Sequence, residues 1–161
     1  MKKLVCSFVL LFTMLFFNSC GILTPYPNPM GTGSTHGVSP INNPFYQLAD
    51  VQLVGCYGNS ASATVEFIFT VTSHSNLISR GTFGAYPSKF AARGQAYSPY
   101  TGTSVELVRY APADVVLTLR DVPDYLTQFD RVELTWHFTA SHHSGGDKQN
   151  LIFNYVPINW N

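Results

Sequence analysis

Metal binding is the first chemistry the side chains suggest. The histidines are His36, His74, His137, His142 and His143, and two of them meet a carboxylate in the run Ser141-His142-His143-Ser144-Gly145-Gly146-Asp147. Imidazole plus carboxylate can hold Zn²⁺, but a real site needs three or four converging ligands. Adjacent histidines on an extended chain point to opposite faces, and nothing like H-E-x-x-H is present. The run reads more simply as a solvated turn, so no metal is expected. A small metal-dependent hydrolase built on His142, His143 and Asp147 is kept as a second alternative. Nucleophilic catalysis has no better footing. There is no G-x-S-x-G elbow and no S-x-x-K. The nine acids, Asp114, Asp121, Asp124 and Asp130 among them, fall at strand ends and turns, where they suit backbone hydrogen bonding. No glycine-rich loop carries a lysine for phosphate. The expectation is a protein that is not an enzyme and carries no cofactor.

Recognition is the chemistry that survives. Residues 81–110 hold Phe83, Tyr86, Phe90, Tyr97, Tyr100 and Tyr110 among Gly, Ser, Pro and Thr. A tyrosine offers an apolar ring with a hydrogen-bonding tip, which suits a glycan, a peptide or a partner protein when several stand exposed on a rigid scaffold. Tyr86, Phe90, Tyr97 and Tyr100 are the candidate ligand contacts, and the stretch from Phe83 to Phe90 reads as too broken for a core strand. A carbohydrate-binding module using these loops is the first alternative. The plainer reading is that the rings cap the open end of a small core. Cys56 lies in a strand-like run and reads as a small buried hydrophobe.

Composition limits the partners. Only 11% of residues are charged, and nine Lys and Arg balance nine Asp and Glu. Without Lys2 and Lys3 the balance is seven against nine, a net of −2. A nucleic-acid binder or a polybasic membrane-surface protein would need a basic excess. The 14 Ser, 14 Thr, 12 Gly and 10 Pro suit a turn-rich all-β domain.

Strands must position whatever chemistry there is. Val65, Phe67, Phe69 and Val71 alternate with Glu66, Ile68, Thr70 and Thr72, and Val132, Leu134, Trp136 and Phe138 alternate with Glu133, Thr135, His137 and Thr139. Val115, Leu117 and Leu119 make a third stripe, and Leu151–Val156 a fourth that stops at Pro157. Weaker candidates run 50–57, near 82–86 and 105–110. Period two with one apolar face is the mark of half-buried strands. Turn clusters lie at 58–60, 121–124 and 144–147, the last as the tip of a hairpin. No long segment has helical spacing. Seven or eight short strands over 46–161 predict a two-sheet antiparallel sandwich, immunoglobulin-like, with Trp136 between the sheets. Such sandwiches expose sheet edges, so strand addition to a partner is one route to binding.

The N-terminus reads as an address. Lys2 and Lys3 precede Leu4–Phe17, which is almost wholly apolar and, at roughly 21 Å as a helix, too short to span a bilayer. No charged residue occurs from Leu4 to Ala49. Phe17-Asn18-Ser19-Cys20-Gly21 resembles the lipobox of bacterial lipoproteins, in the relaxed form of the Bacteroides group. That resemblance implies a signal peptide over 1–19 and lipidation of Cys20. If Cys20 stays unmodified, it could instead pair with Cys56 in an oxidising compartment. Residues 20–45 carry five prolines and four glycines and read as a tether, about 28 Å long as a coil. The alternative is that part of it packs as an edge strand, with Phe45, Tyr46 and Leu48 docking. The expected whole is a membrane-anchored envelope lipoprotein, palmitate-bearing, with a non-enzymatic binding or structural role. Its partners are the membrane and an envelope protein or glycan. The uncharged residues after Cys20 resemble those of periplasm-facing outer-membrane lipoproteins, with the cell surface as the other location.

Overall fold

In the strand Thr64–Ser73 every second residue is fully enclosed: Val65, Phe67, Phe69 and Val71 face inward, while Glu66, Ile68, Thr70 and Thr72 stay partly wet. That alternation is the physical basis of the whole structure, a computed structural model that describes residues 37–84, 88–99, 101–140 and 148–161. These residues fall within one compact unit, Ser34–Asn161. Ten strands form two packed sheets: β1 (Ala49–Asn59), β2 (Thr64–Ser73), β3 (Ile78–Phe83), β4 (Lys89–Ala92), β5 (Gln95–Tyr97), β6 (Thr103–Glu106), β7 (Pro112–Leu119), β8 (Gln128–Ala140), β9 (Lys148–Pro157) and β10 (Asn159–Trp160).

The first sheet runs β10-β1-β2-β7. In the second, β8 is central. β9 lies along one edge of it, and β3 and β4 share the other edge end to end, with β6 beyond β3 and β5 beyond β4. The order β1-β2-β7 against β9-β8-β3 is the A-B-E against G-F-C arrangement of immunoglobulin-like sandwiches. The count exceeds the expected seven or eight because β4, β5 and β10 are too short to show a period. β10 also pairs parallel to β1, so the first sheet is not wholly antiparallel.

Among the described residues the core holds eight buried aromatic rings. Trp136 is completely buried and meets Phe45 edge-on at 4.7 Å and Phe83 in a stack at 5.2 Å. Phe67 touches Phe90 and Phe129 at 4.7 and 5.2 Å. Phe83 and Phe90 therefore belong to the core, at the end of β3 and within β4. Thr135 of β8 pairs with Asn150 of β9 on one side and has no β3 or β4 residue opposite it on the other. Its carbonyl accepts from the Gly84 N–H at 3.1 Å, and its N–H donates to the buried Ser88 Oγ at 2.8 Å. Buried backbone groups need such partners, because an orphan costs about 1–3 kcal/mol.

Residues 37–48 form a strap across one side of the sandwich. Val38 exchanges two backbone hydrogen bonds with Leu53 on the edge of β1, at 2.8 and 2.9 Å. Ile41 N–H then bonds to Ile152 on the edge of β9, and Asn42 Oδ1 accepts from Ile152 N–H. Phe45 is buried, Leu48 packs against the core, and Tyr46 stays exposed. The strap and β10 pair with parts of two sheet edges that would otherwise template a foreign strand.

Candidate functional site

The residues singled out from the sequence fall into three groups. Cys20, Tyr86, Tyr100, His142, His143 and Asp147 lie outside the described residues. Phe90 is a core residue and offers no surface to a ligand. Tyr97 is half-buried, edge-on to Phe129 at 5.9 Å, and burial, with Tyr125 adding to it, raises its phenol above the ordinary value. Of the expected aromatic contacts, none that is described stands free on the surface. Cys56 faces inward opposite Phe67, and burial pushes its thiol up to about 12, so it behaves as a hydrophobe. His137 is half-buried on the outer face of β8, in register with Thr82 and Lys148. Among the described residues no three His, Cys, Asp or Glu side chains are grouped to hold a metal.

The polar side chains that do converge sit at one end of the sandwich, where β1 and β7 begin and β2 ends. Two segments build the surface there: 74–77, between β2 and β3, and 107–111, between β6 and β7. They lie side by side because Leu107 N–H bonds to Ser79 O at 2.8 Å and Tyr110 N–H bonds to Ser73 O at 2.7 Å. Leu107 points into the core, which turns Val108 and Arg109–Tyr110 outward.

Four side chains form a connected cluster. His74 Nε2 and Asp50 Oδ2 are 2.9 Å apart, and His74 N–H is held by Leu48 O. Arg109 Nε donates to His74 O at 3.0 Å, and its Nη2 donates to Tyr110 Oη at 2.6 Å. The guanidinium also lies over the Tyr110 ring, 4.5 Å from the centroid. Tyr110 itself has φ of 63°, the left-handed region, which costs a bulky residue about 1–3 kcal/mol. The ring is nevertheless exposed (63%), as are Val108 (67%) and Leu77 (59%) beside it in the same two segments. Arg109, oriented by two hydrogen bonds and a ring, has already lost most of its rotamer freedom. That is the preorganisation a binding site needs.

The His74–Asp50 pair is two-thirds of a hydrolytic triad in residue type, but no nucleophile stands beside it among the described residues. Ser73 Oγ is buried and donates to Ser75 O. No hydroxyl among the described residues bonds to His74. The arrangement can present hydrogen-bond donors to a ligand.

The sequence signal for this site was thin. Tyr110 closed the aromatic segment, but Asp50, His74 and Arg109 come from separate segments with no motif spacing. The β1–β2 register and the pairing of Ser73 with Arg109 bring them together.

The fold defines an immunoglobulin-like β-sandwich domain. No protein-family model matches the chain, and no curated protein matches it. Among solved structures it is similar to the ASH / PapD-like domain of human CEP192 (PapD-like domain 7), at 11% identity and a TM-score of 0.40, over 81% of this chain and 97% of that one. No function is carried over from that likeness.

Proposed function

We propose that the protein is a lipid-anchored lipoprotein of a bacterial cell envelope, without enzymatic activity, whose single β-sandwich binds a partner through the Asp50–His74–Arg109–Tyr110 end. On this reading the first 19 residues are a signal peptide, Cys20 carries the lipid, and the domain is held at the outer membrane on its periplasmic side. Acyl chains contribute about 0.8 kcal/mol per buried methylene, and two or more give stable attachment.

The observation that carries the reading is the state of the competing cysteine. After the leader, the chain has two cysteines, Cys20 and Cys56. Cys56 is enclosed on the inner face of β1, only 3% exposed. A disulfide needs its two Cα atoms within about 7 Å, so a partner sulfur would have to enter the core. That supports leaving the Cys20 sulfur to lipidation. The strap supports the display role, since it fixes the tether to both sheets at once.

Metabolic labelling with palmitate tests this. The wild-type chain should take the label and fractionate with membranes, and Cys20→Ala should lose the label and become soluble. An unlabelled, soluble wild-type product, or a Cys20–Cys56 bridge, would overturn the anchor.

A further inference from the structure

We infer that the Arg109 end takes a peptide by a carboxylate, gripped by the Arg109 guanidinium and the Tyr110 hydroxyl, with an apolar neighbouring side chain laid on Leu77 and Val108. This rests on the reading of that end as the binding surface and names what it recognises.

The donors are in excess. Arg109 uses Nε on His74 O and Nη2 on Tyr110 Oη. Its second terminal nitrogen has no partner among the described residues, and Arg109 as a whole is exposed. Tyr110 Oη accepts from Arg109, which leaves its own hydrogen free to donate. A planar fork beside a hydroxyl donor, both exposed and both held in place, matches the two oxygens of a carboxylate. Asp50 does not compete in the described geometry, because its Oδ2 is turned to His74.

Charge narrows the ligand. Arg109 is the single fixed cation of the cluster and Asp50 its single carboxylate. A phosphate dianion is ordinarily met by a cluster of arginines, and an anionic lipid surface by a basic patch; among the described residues this end has neither. The apolar surroundings separate the remaining two sources. A sugar acid would have to stack on the second face of the Tyr110 ring, since the guanidinium covers the first at 4.5 Å and the His74 ring stands 6.2 Å away. The exposed neighbours are aliphatic, Leu77 and Val108, which suit a leucine- or valine-like side chain of a peptide. Tyr110 is held at φ 63° by its N–H bond to Ser73 O, so the hydroxyl is presented without an ordering step on binding.

Titration of the full chain in detergent, followed by ¹H–¹⁵N NMR, tests the assignment. Three peptides serve as probes: acetyl-Leu-Val with a free carboxylate, acetyl-Leu-Val-amide, and acetyl-Asp-Leu-Val-amide. Glucuronic acid is the fourth probe. At least one carboxylate peptide should shift the Arg109 Nε–H and Tyr110 signals, and which one responds tells a chain terminus from an acidic side chain. The neutral amide should bind about tenfold or more weakly, and Arg109→Gln should weaken the carboxylate peptide about as much. Arg109→Lys, which keeps the charge and loses the fork, should fall short of wild type too. Equal binding of acid and amide at these residues would keep the end as a binding surface and overturn the carboxylate. Glucuronic acid binding as well as the peptides would overturn the peptide. No shift at Arg109 or Tyr110 with any probe would overturn the inference whole.

Discussion

The two ends of the sandwich both hold residues in left-handed backbone, and they use them differently. At the far end, Ala63 accepts the Val122 N–H through its carbonyl, Arg93 precedes Gly94 in the tight β4–β5 hairpin, and Asp121 sits where the chain leaves β7 for β8. Trp160 closes that end. Its ring lies so close over Gly58 that a Cβ there would come within 2.2 Å of it, and its Nε1 donates to Leu126 O at 2.6 Å. Strain there makes turns, and the polar groups named are consumed internally. At the near end Tyr110 is strained, and the groups it positions point outward with donors left over. Unusual φ is therefore a signal of function only where the geometry it enforces is not already used by the fold.

Perturbing each end should separate the two uses. The largest effect belongs to the closed end. Trp160→Ala removes a half-buried ring and its hydrogen bond, and should lower stability by about 2–3 kcal/mol in urea unfolding while leaving peptide binding unchanged. Lost binding in that variant would mean the two ends are coupled.

A comparable effect, outside both ends, comes from pH. The Cys56 thiol ionises near 9.0 when unfolded and at about 12 in the folded chain. Stability is thus intact below pH 9 and falls as pH rises towards 12, because only the unfolded chain releases the proton readily. Near pH 10.5 the loss should be about 2 kcal/mol. Cys56→Ala should remove this alkaline sensitivity, read as the urea midpoint at pH 8 and pH 10.5. An equal slope in both proteins would assign the sensitivity to other groups.

The smallest effect is at the hairpin. Arg93→Asn keeps the turn and tolerates φ of 49° better, so it should stabilise by about 0.5 kcal/mol or less. Its cost is the Arg93 contact over the Tyr125 ring, at a distance of 5.9 Å. Binding at the near end should not move.

The core was readable before the structure for a simple reason. Val65 to Val71, Val115 to Leu119 and Val132 to Trp136 are long enough to show period two, and one side of each had to be buried. β4 and β10 were not readable, because four residues and two residues carry no period; tertiary pairing with β8 and β1 makes them strands. Aromatic content misled at Phe90 because composition does not say which way a ring faces. The stretch from Phe83 to Phe90 read as too broken for a core strand, whereas Ser88 Oγ accepts from Thr135 N–H and Phe90 turns inward. At β9 the Leu151–Phe153 alternation slips at Tyr155, held at φ of 54°, so Val156 takes the inward place. The near end was the least legible part. Its four residues come from the start of β1 and two loops, and a backbone bond between Tyr110 and Ser73 determines where they meet.

Tyr110→Gly tests the central claim most directly. Glycine adopts φ of 63° without strain, and the tyrosine ring it removes is mostly in solvent. If Tyr110 is kept for recognition, the variant should unfold at the same or a higher urea concentration than wild type, by up to about 1 kcal/mol, and should lose the carboxylate peptide. A variant that is clearly less stable and binds the peptide as wild type does would contradict the account, and would make the near end structural like the far one.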